Sequence, residues 1–321
     1  MMTHPTMLSR AEAYLAYRRH LGFKLDRPGD QTLSFARFAD DIGHQGALTS
    51  EIAVRWAKDA ASRGDPFTWA RRLDILRPFA LHLTAEEPDT TFPATSPFGS
   101  SKRRLAPHIF APEEITAILS VARKNRRACA AGTLMLPPLI GLLASTGLRI
   151  SEALGLQIGD LDLKAAHIVV RQAKYGRQRI VALHPTTVAA LSAFVEEQCR
   201  GFRCSRNDPL FKNELTGGVL RYANVRHAWS RLVLKIGIRP RGEHPSVRLH
   251  DLRHTFICRR IMDWQANGAD VDAAMMMLST YVGHVNLRDT YWYLESVPEL
   301  MALAGRRFEQ RFHGAEGDCD E

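Results

Sequence analysis

The strongest constraint on the fold is a break in the pattern. Residues 86–114 read "EEPDTTFPATSPFGSSKRRLAPHIFAPEE", rich in Pro, Ser, Thr and Gly and without an apolar period that a helix or strand could sustain. Whatever precedes this stretch and whatever follows it must therefore bury separate apolar faces. A chain of 321 residues, 45% of them hydrophobic, can fill two cores, because single cores seldom grow far beyond ~100–200 residues. The expected organisation is a first unit over 1–90, a linker over 91–106, a second unit over 107–313 and a flexible acidic tail over 314–321.

Before the break the apolar residues recur at helical spacing. In "DPFTWARRLDILRPFALHL", Trp69, Leu73, Leu76 and Phe79 lie three and four apart, which predicts a small all-helical unit. Arg71, Arg72 and Arg77 flank that stripe, either as a solvated face or as a DNA contact. After the break a helix opens at "APEEITAILSVARK", where Pro112, Glu113 and Glu114 suit a first turn. "PLIGLLASTGLRISEALGL" predicts a buried helix, a turn at Thr146-Gly147 and another helix. "AHIVVRQAKYGRQRIVALH" predicts a β-hairpin around residues 174–177. Helical segments resume after Pro185. The fold class is thus mainly α with a small β-sheet, a helical N-terminal unit followed by a mixed α/β one.

Charge narrows the partners. Lys and Arg number 43 against 34 Asp and Glu, a net +9, which suits a polyanion because phosphate neutralisation drives nucleic-acid affinity. The five cysteines are odd in number and lack CxxC pairing or a disulfide framework, and a reducing cytoplasm is the expected compartment. No apolar run approaches the ~20 residues of a membrane span, and "MMTHPTMLSR" has no apolar signal core. No internal repeat stands out.

Three segments carry reactive groups. "STGLRISE" places Arg149 at a helix start and Glu152 one turn on; "HDLRHTF" places His250 and Arg253 on one helical face; "GHVNLRDTYWYLES" carries His284 and three adjacent aromatics. Each has an ordinary explanation when taken alone. Arg149 and Glu152 fit a surface ion pair, "TYWYL" fits a buried aromatic patch, and Met275-Met276-Met277 fits adaptable core packing. His250 and His254, four apart, approach the HExxH zinc motif but lack its glutamate and a third ligand. No metal is expected.

Together, "TGLRISEALGL", a lysine in a hairpin, "HDLRHTF" and "VGHVNLRDTYWY" resemble the tyrosine recombinase (phage integrase) superfamily, over the whole second unit. The helical first unit is similar to that family's core-DNA-binding domain. The ending "DTYWYLESVPELM" further resembles a branch of transposon recombinases encoded in adjacent trios.

The resemblance implies a site-specific DNA recombinase or integrase that moves a mobile element and works through a 3′-phosphotyrosyl intermediate. Arg149 and Arg253 would grip the non-bridging phosphate oxygens, since guanidinium groups bind them in bidentate fashion and stay protonated. His250 would accept the nucleophile's proton, His284 would donate to the phosphate, and Glu152 would orient the site. Lys174, preferred to Lys164 and Lys212, would protonate the leaving 5′-oxygen. On a helix, Tyr291 and Tyr293 point about 200° apart, so only one can face the site. The family's spacing from Gly283-His284 selects Tyr293 as the nucleophile. With two guanidiniums on the phosphate a metal is unnecessary, and ATP is not needed because the protein-DNA ester conserves the bond energy.

The implied partners are double-stranded DNA with inverted-repeat core sites, further copies of the chain (dimer to tetramer on DNA) and sister recombinases. Arg71, Arg72, Lys102, Arg103 and Arg104 are the candidate DNA contacts outside the site, and a nucleoid-associated place in the cytoplasm follows. A helix expected over 297–312, with Leu300, Ala304, Phe308 and Phe312 in one row, would pass to a neighbouring protomer. Two features depart from the family: the span from Arg253 to His284 is long, and no glycine precedes Lys174. The rival functions are a type IB topoisomerase and a DNA-binding accessory protein of the same fold without chemistry.

Overall fold

A computed structural model describes residues 5–59, 64–102, 104–124, 135–171, 178–200, 204–213, 216–296, 301–302 and 305. The chain divides into two compact units, Met1–Arg104 and Leu105–Glu321.

In the first unit four helices surround one core: α1 (Met7–His20), α2 (Asp26–Asp41), α3 (Ser50–Asp59) and α4 (Pro66–Glu86). Local chemistry sets the starts of two of them. Thr6 accepts the Ser9 amide at 3.2 Å, and Asp65 accepts the Thr68 amide at 3.0 Å just ahead of Pro66. Leu73, Leu76, Phe79, Ala80 and Leu83 form the buried stripe of α4, packed with Phe35 and Trp56. Residues 88–102 lie along this unit. Phe92 and Phe98 pack on its core, Arg77 donates to the Pro93 carbonyl at 2.9 Å, and Ser101 bonds Asp74.

The second unit runs α5 (Pro112–Lys124), α6 (Leu136–Thr146), α7 (Ile150–Leu154), β1 (Leu161–Asp162), β2 (His167–Val170), β3 (Arg179–Ala182), α8 (Pro185–Cys199), α9 (Tyr222–Ile236), α10 (His250–Ala266), α11 (Val271–Val282) and α12 (Arg288–Ser296). The strands form an antiparallel sheet in the order β1-β2-β3, with Ile168 opposite Val181 and Val170 opposite Arg179. Ile168 and Val181 point into the core, whereas Ile180 on the other face is exposed. α6 is apolar nearly all round and sits in the middle of the main core with Leu252 and Trp229. A second core beneath α10 and α11 gathers Ile257, Ile261, Met275, Leu278, Val282 and Tyr293.

Two expectations need correction. Of the three adjacent methionines only Met275 is core, while Met276 and Met277 are exposed. Successive residues on a helix turn by about 100°, so three in a row cannot all face one core. Cys199 and Cys204 form a disulfide, their Cα atoms 5.4 Å apart, a pairing that their irregular spacing in the sequence did not announce. Of the helix expected over 297–312, only Met301, Ala302 and Gly305 are described, all helical. No helix among the described residues is long and apolar enough to cross a membrane.

Candidate active site

Two glycine turns build the floor of the site. Gly147 ends α6 at φ +63°, and a Cβ there would stand 2.5 Å from the Phe256 ring. Gly283 ends α11 at φ +70°, and a Cβ there would stand 2.8 Å from an Arg179 nitrogen. Both positions need a left-handed backbone and no side chain.

The turn at Gly147 delivers Arg149 to the start of α7, where Glu152 folds back to accept its backbone amide at 2.9 Å. Arg149 donates through Nη1 to Glu152 at 2.8 Å and through Nη2 to the Gly283 carbonyl at 2.8 Å. Glu152 also receives both Nη atoms of Arg179, at 2.9 and 2.7 Å, while Arg179 Nε donates to the Tyr281 carbonyl at 3.0 Å. Burial alone would raise the Glu152 pKa. The hydrogen bonds from Arg179 and from the Arg149 amide, together with the guanidinium charges, outweigh it and bring the value down to about 2.

Arg253, only 2% exposed, approaches from α10. Its Nη1 donates to the Gly147 carbonyl at 2.7 Å and its Nη2 to the Val282 carbonyl at 2.8 Å. Burial first, and then the charge of Arg149, lower its pKa to about 10, which leaves it protonated at neutral pH. The two guanidiniums are thus fastened to the ends of α6 and α11 and point into one place.

Three histidines stand around them as neutral rings. Burial, then Arg253, Arg248 and Arg149, press His250 down to about 4. Its outer edge reaches solvent, yet the surrounding protein still makes desolvation the leading cause. Burial, then Arg253 and Arg149, press His284 to about 3. Its Nδ1 lies 2.7 Å from the buried Thr290 hydroxyl, so Nε2 is the nitrogen that can reach a substrate. His254 is held well below the usual histidine range, chiefly by burial.

The tyrosines of α12 part company. The Tyr293 hydroxyl lies 2.7 Å from His254 Nδ1, with the residue 3% exposed. Tyr291 faces the other way and donates to Asp272 at 2.9 Å. Trp292 packs beside Tyr293, their ring centroids 5.1 Å apart. An ionised Tyr293 would raise the pKa of Arg253, so the phenol and the guanidinium share one neighbourhood.

Arg149, Glu152, His250, Arg253, His284 and Tyr293 therefore converge. Lys174 and Arg103 lie outside the described residues. Arg71, Lys102 and Arg104 are exposed in the first unit. Arg72, expected as a DNA contact, is instead buried, its guanidinium 3.9 Å from the centroid of the Trp56 ring. Among the described residues no group of three His, Cys, Asp or Glu could hold a metal ion. Two residues of the site were given no role in it by the sequence. Arg179 sits two before the buried Val181, and hence on the inward face of β3, where a charge demands a carboxylate. His254 lies one helical turn after His250.

Residues 109–299 match the model of the phage integrase family. A protein of Sinorhizobium fredii bearing the name "Putative integrase/recombinase y4rB" is 33% identical over 314 residues, covering 96% of this chain and 98% of the relative. Tyrosine recombinase XerC of Listeria monocytogenes is 28% identical over 234 residues, 72% of each chain. Among solved structures, XerH site-specific recombinase bound to a palindromic difH substrate overlays with a TM-score of 0.66 at 20% identity, covering 92% of this chain and 84% of that one. The Tn1549 transposon integrase in complex with transposon right end DNA gives 0.63 at 17% identity, over 92% and 99%.

Proposed function

This chain belongs to the phage integrase family and is a tyrosine-type site-specific recombinase, and from that premise we propose that Tyr293 cleaves and rejoins duplex DNA through a 3′-phosphotyrosyl bond. The observation that carries the reading is the convergence of two anchored guanidiniums with a buried tyrosine. A guanidinium offers five N–H donors. The contacts described above take up two groups on each arginine, and donors remain for the non-bridging oxygens of a phosphodiester. Because both side chains are already fixed, negative charge growing on those oxygens meets donors that need not reorganise. His284 donates to the same phosphate from Nε2, and His250 flanks it.

The phenol attacks phosphorus and the 5′-oxygen departs with a proton, which we assign to Lys174. Attack by a partner strand's 5′-hydroxyl reverses the step. The substrate is duplex DNA with inverted-repeat core sites, the first unit contributing contacts through Arg71, Lys102 and Arg104, and several copies of the chain assembling on DNA with sister recombinases. The similarity to y4rB and to the Tn1549 integrase supports movement of a DNA element.

A nicked suicide duplex carrying the site tests this. Cleavage strands the leaving fragment, and a covalent protein-DNA adduct should accumulate and resist denaturant. DNA binding without adduct would favour the accessory protein, and relaxation of supercoils without joining of two sites would favour the topoisomerase.

A further inference from the structure

α10 carries His250 and His254 one turn apart, their rings edge to face with centroids 4.7 Å apart. His250 stands on the side of the two arginines. His254 meets the nucleophile directly. Tyr293 arrives from α12 over the apolar cluster of Ile257, Ile261, Met275, Leu278 and Val282, which sets the depth of its ring. Its hydroxyl then reaches Nδ1 of His254 at 2.7 Å, within the range at which a general base can take a proton. The Trp292 ring closes another side of His254, centroids 6.2 Å apart.

We propose that His254, rather than His250, receives the phenolic proton of Tyr293, which makes it a catalytic residue of the strand-transfer reaction. The inference rests on the reading of Tyr293 as the nucleophile. In the tautomer with its hydrogen on Nε2, His254 presents a lone pair at Nδ1, and the phenol donates to it. As the Tyr293 oxygen forms its bond to phosphorus, the O–H bond breaks and the proton passes to Nδ1. The bond from phosphorus to the 5′-oxygen breaks on the far side, and that oxygen takes a proton from the general acid. In the reverse step the attacking 5′-hydroxyl loses its proton to that acid's conjugate base, and Nδ1 returns its own to the phenol. Atoms and charge balance in both directions.

The surroundings explain why the base waits unprotonated. Burial is the largest cause, and the charges of Arg248 and Arg253 oppose a further cation at His254, as His250 and His244 would if they were protonated. The lone pair is therefore available throughout the neutral range. A phosphodiester seated on Arg149 and Arg253 brings a negative charge into the same neighbourhood, offsets part of that repulsion and makes the imidazolium easier to form at the moment it is needed.

The test pairs two substitutions with a nucleophile that needs no base. His254→Asn and His254→Gln can both still hydrogen-bond the phenol, but neither can take its proton. On the nicked suicide duplex each is expected to slow single-turnover adduct formation by roughly 10²-fold or more, with half-site affinity and thermal melting unchanged. Replacing Tyr293 in those variants by a ring-fluorinated tyrosine, ionised at the assay pH, should restore the rate toward that of the unaltered protein. The same replacement in a His250→Asn protein should restore nothing, because His250 acts at the phosphate. Wild-type rates in both His254 variants would overturn the proposal, as would rescue of the His250 variant instead of the His254 variants. A His254 defect that the fluorinated tyrosine leaves in place would also overturn it. Absence of any adduct from the unaltered protein would overturn the nucleophile reading itself.

Discussion

The side of the site that we propose grips the phosphate and the side that we propose supplies the nucleophile are held by different physics. On the first, charged groups interlock across three elements: Arg149 on Glu152 and Gly283, Arg179 on Glu152 and Tyr281, Arg253 on Gly147 and Val282. On the second, α12 lies on an apolar cluster and Tyr293 hydrogen-bonds a neutral histidine. The difference follows from what each side must do. Donors that stabilise developing charge work best when already aimed, since reorienting them during the reaction costs much of the gain. A nucleophile must exchange its hydrogen bond for a bond to phosphorus, so it is held by contacts that it can leave.

The largest effect should come from breaking the nucleophile side at one atom. Tyr293→Phe keeps the ring in the cluster and removes only the hydroxyl, so adduct formation should vanish while half-site binding in a gel shift persists. Tyr291→Phe loses a bond to Asp272 away from the site and should still form adduct. Were Tyr291→Phe the inactive variant, the two sides would have been assigned wrongly.

Next in size is a residue assigned to neither side. Lys174→Ala should slow cleavage of ordinary DNA by roughly 10²–10⁴-fold, and much less on a 5′-phosphorothiolate, whose sulfur leaves without needing a proton. Equal defects on both substrates would remove Lys174 from the general-acid role.

Arg179 tests whether the grip is really interlocked. Arg179→Met leaves the Glu152 carboxylate, 3% exposed in its side chain, facing Arg149 alone. Taking one of its two guanidiniums from a buried carboxylate should cost up to about 3–5 kcal/mol of stability, read by urea unfolding. Displacing Arg149 by as little as ~1 Å should slow adduct formation about 10²-fold. Adding Glu152→Gln should recover part of the stability, because no buried charge is then stranded, without recovering the rate. A single variant with lower stability but a normal rate would show that the ion pairs serve folding rather than aim.

What was legible in the sequence follows the same division. Gly147 announces its turn, and the motifs at residues 145–152, 250–256 and 282–293 name six of the converging groups, because short-range spacing fixes which side chains share a helical face. The hairpin was legible from two β-branched runs, and the register then placed Ile168 against Val181. Arg179 was not chosen because its partner Glu152 lies 27 residues away, and only the packed sheet brings them together. His254 was noticed only as half of a metal motif, since its partner Tyr293 is 39 residues on. Arg72 misled because arginines beside an apolar stripe look alike until the fold turns one of them inward.

Acid separates the carboxylate of the site from its histidines by titration. Glu152 has a folded pKa of about 2 against an ordinary 4.5. Its contribution of about 3 kcal/mol is therefore complete above pH 4.5 and is lost as pH falls from there toward 2. His250 and His284, at about 4 and 3 when folded against 6.5, bind protons first in the unfolded chain, so stability also declines as pH drops below 6.5. Urea midpoints measured from pH 7 down to pH 3 should fall in two stages. Glu152→Gln should make the lower stage shallower, down to the slope that the histidines alone impose, and leave the upper one. An unchanged lower stage would mean that the Glu152 carboxylate is not held by its two arginines.

The smallest effect expected is a control in the first unit, where Arg72 is buried as Arg253 is but has an aromatic face for a neighbour. Burial pulls its pKa down, and its guanidinium rests 3.9 Å from the Trp56 centroid, a contact worth roughly 1–2 kcal/mol. Arg72→Met keeps a long apolar stem over Trp56 and gives up a buried charge, so stability should change by less than about 1.5 kcal/mol. Half-site affinity should keep its salt dependence. Arg71, exposed one position earlier, should behave oppositely. Arg71→Ala should leave stability alone and reduce the slope of log affinity against log salt by about 1, the signature of one lost phosphate contact. A salt slope that moves with Arg72→Met and stays fixed with Arg71→Ala would mean that the first unit offers DNA a different face from the exposed side of α4.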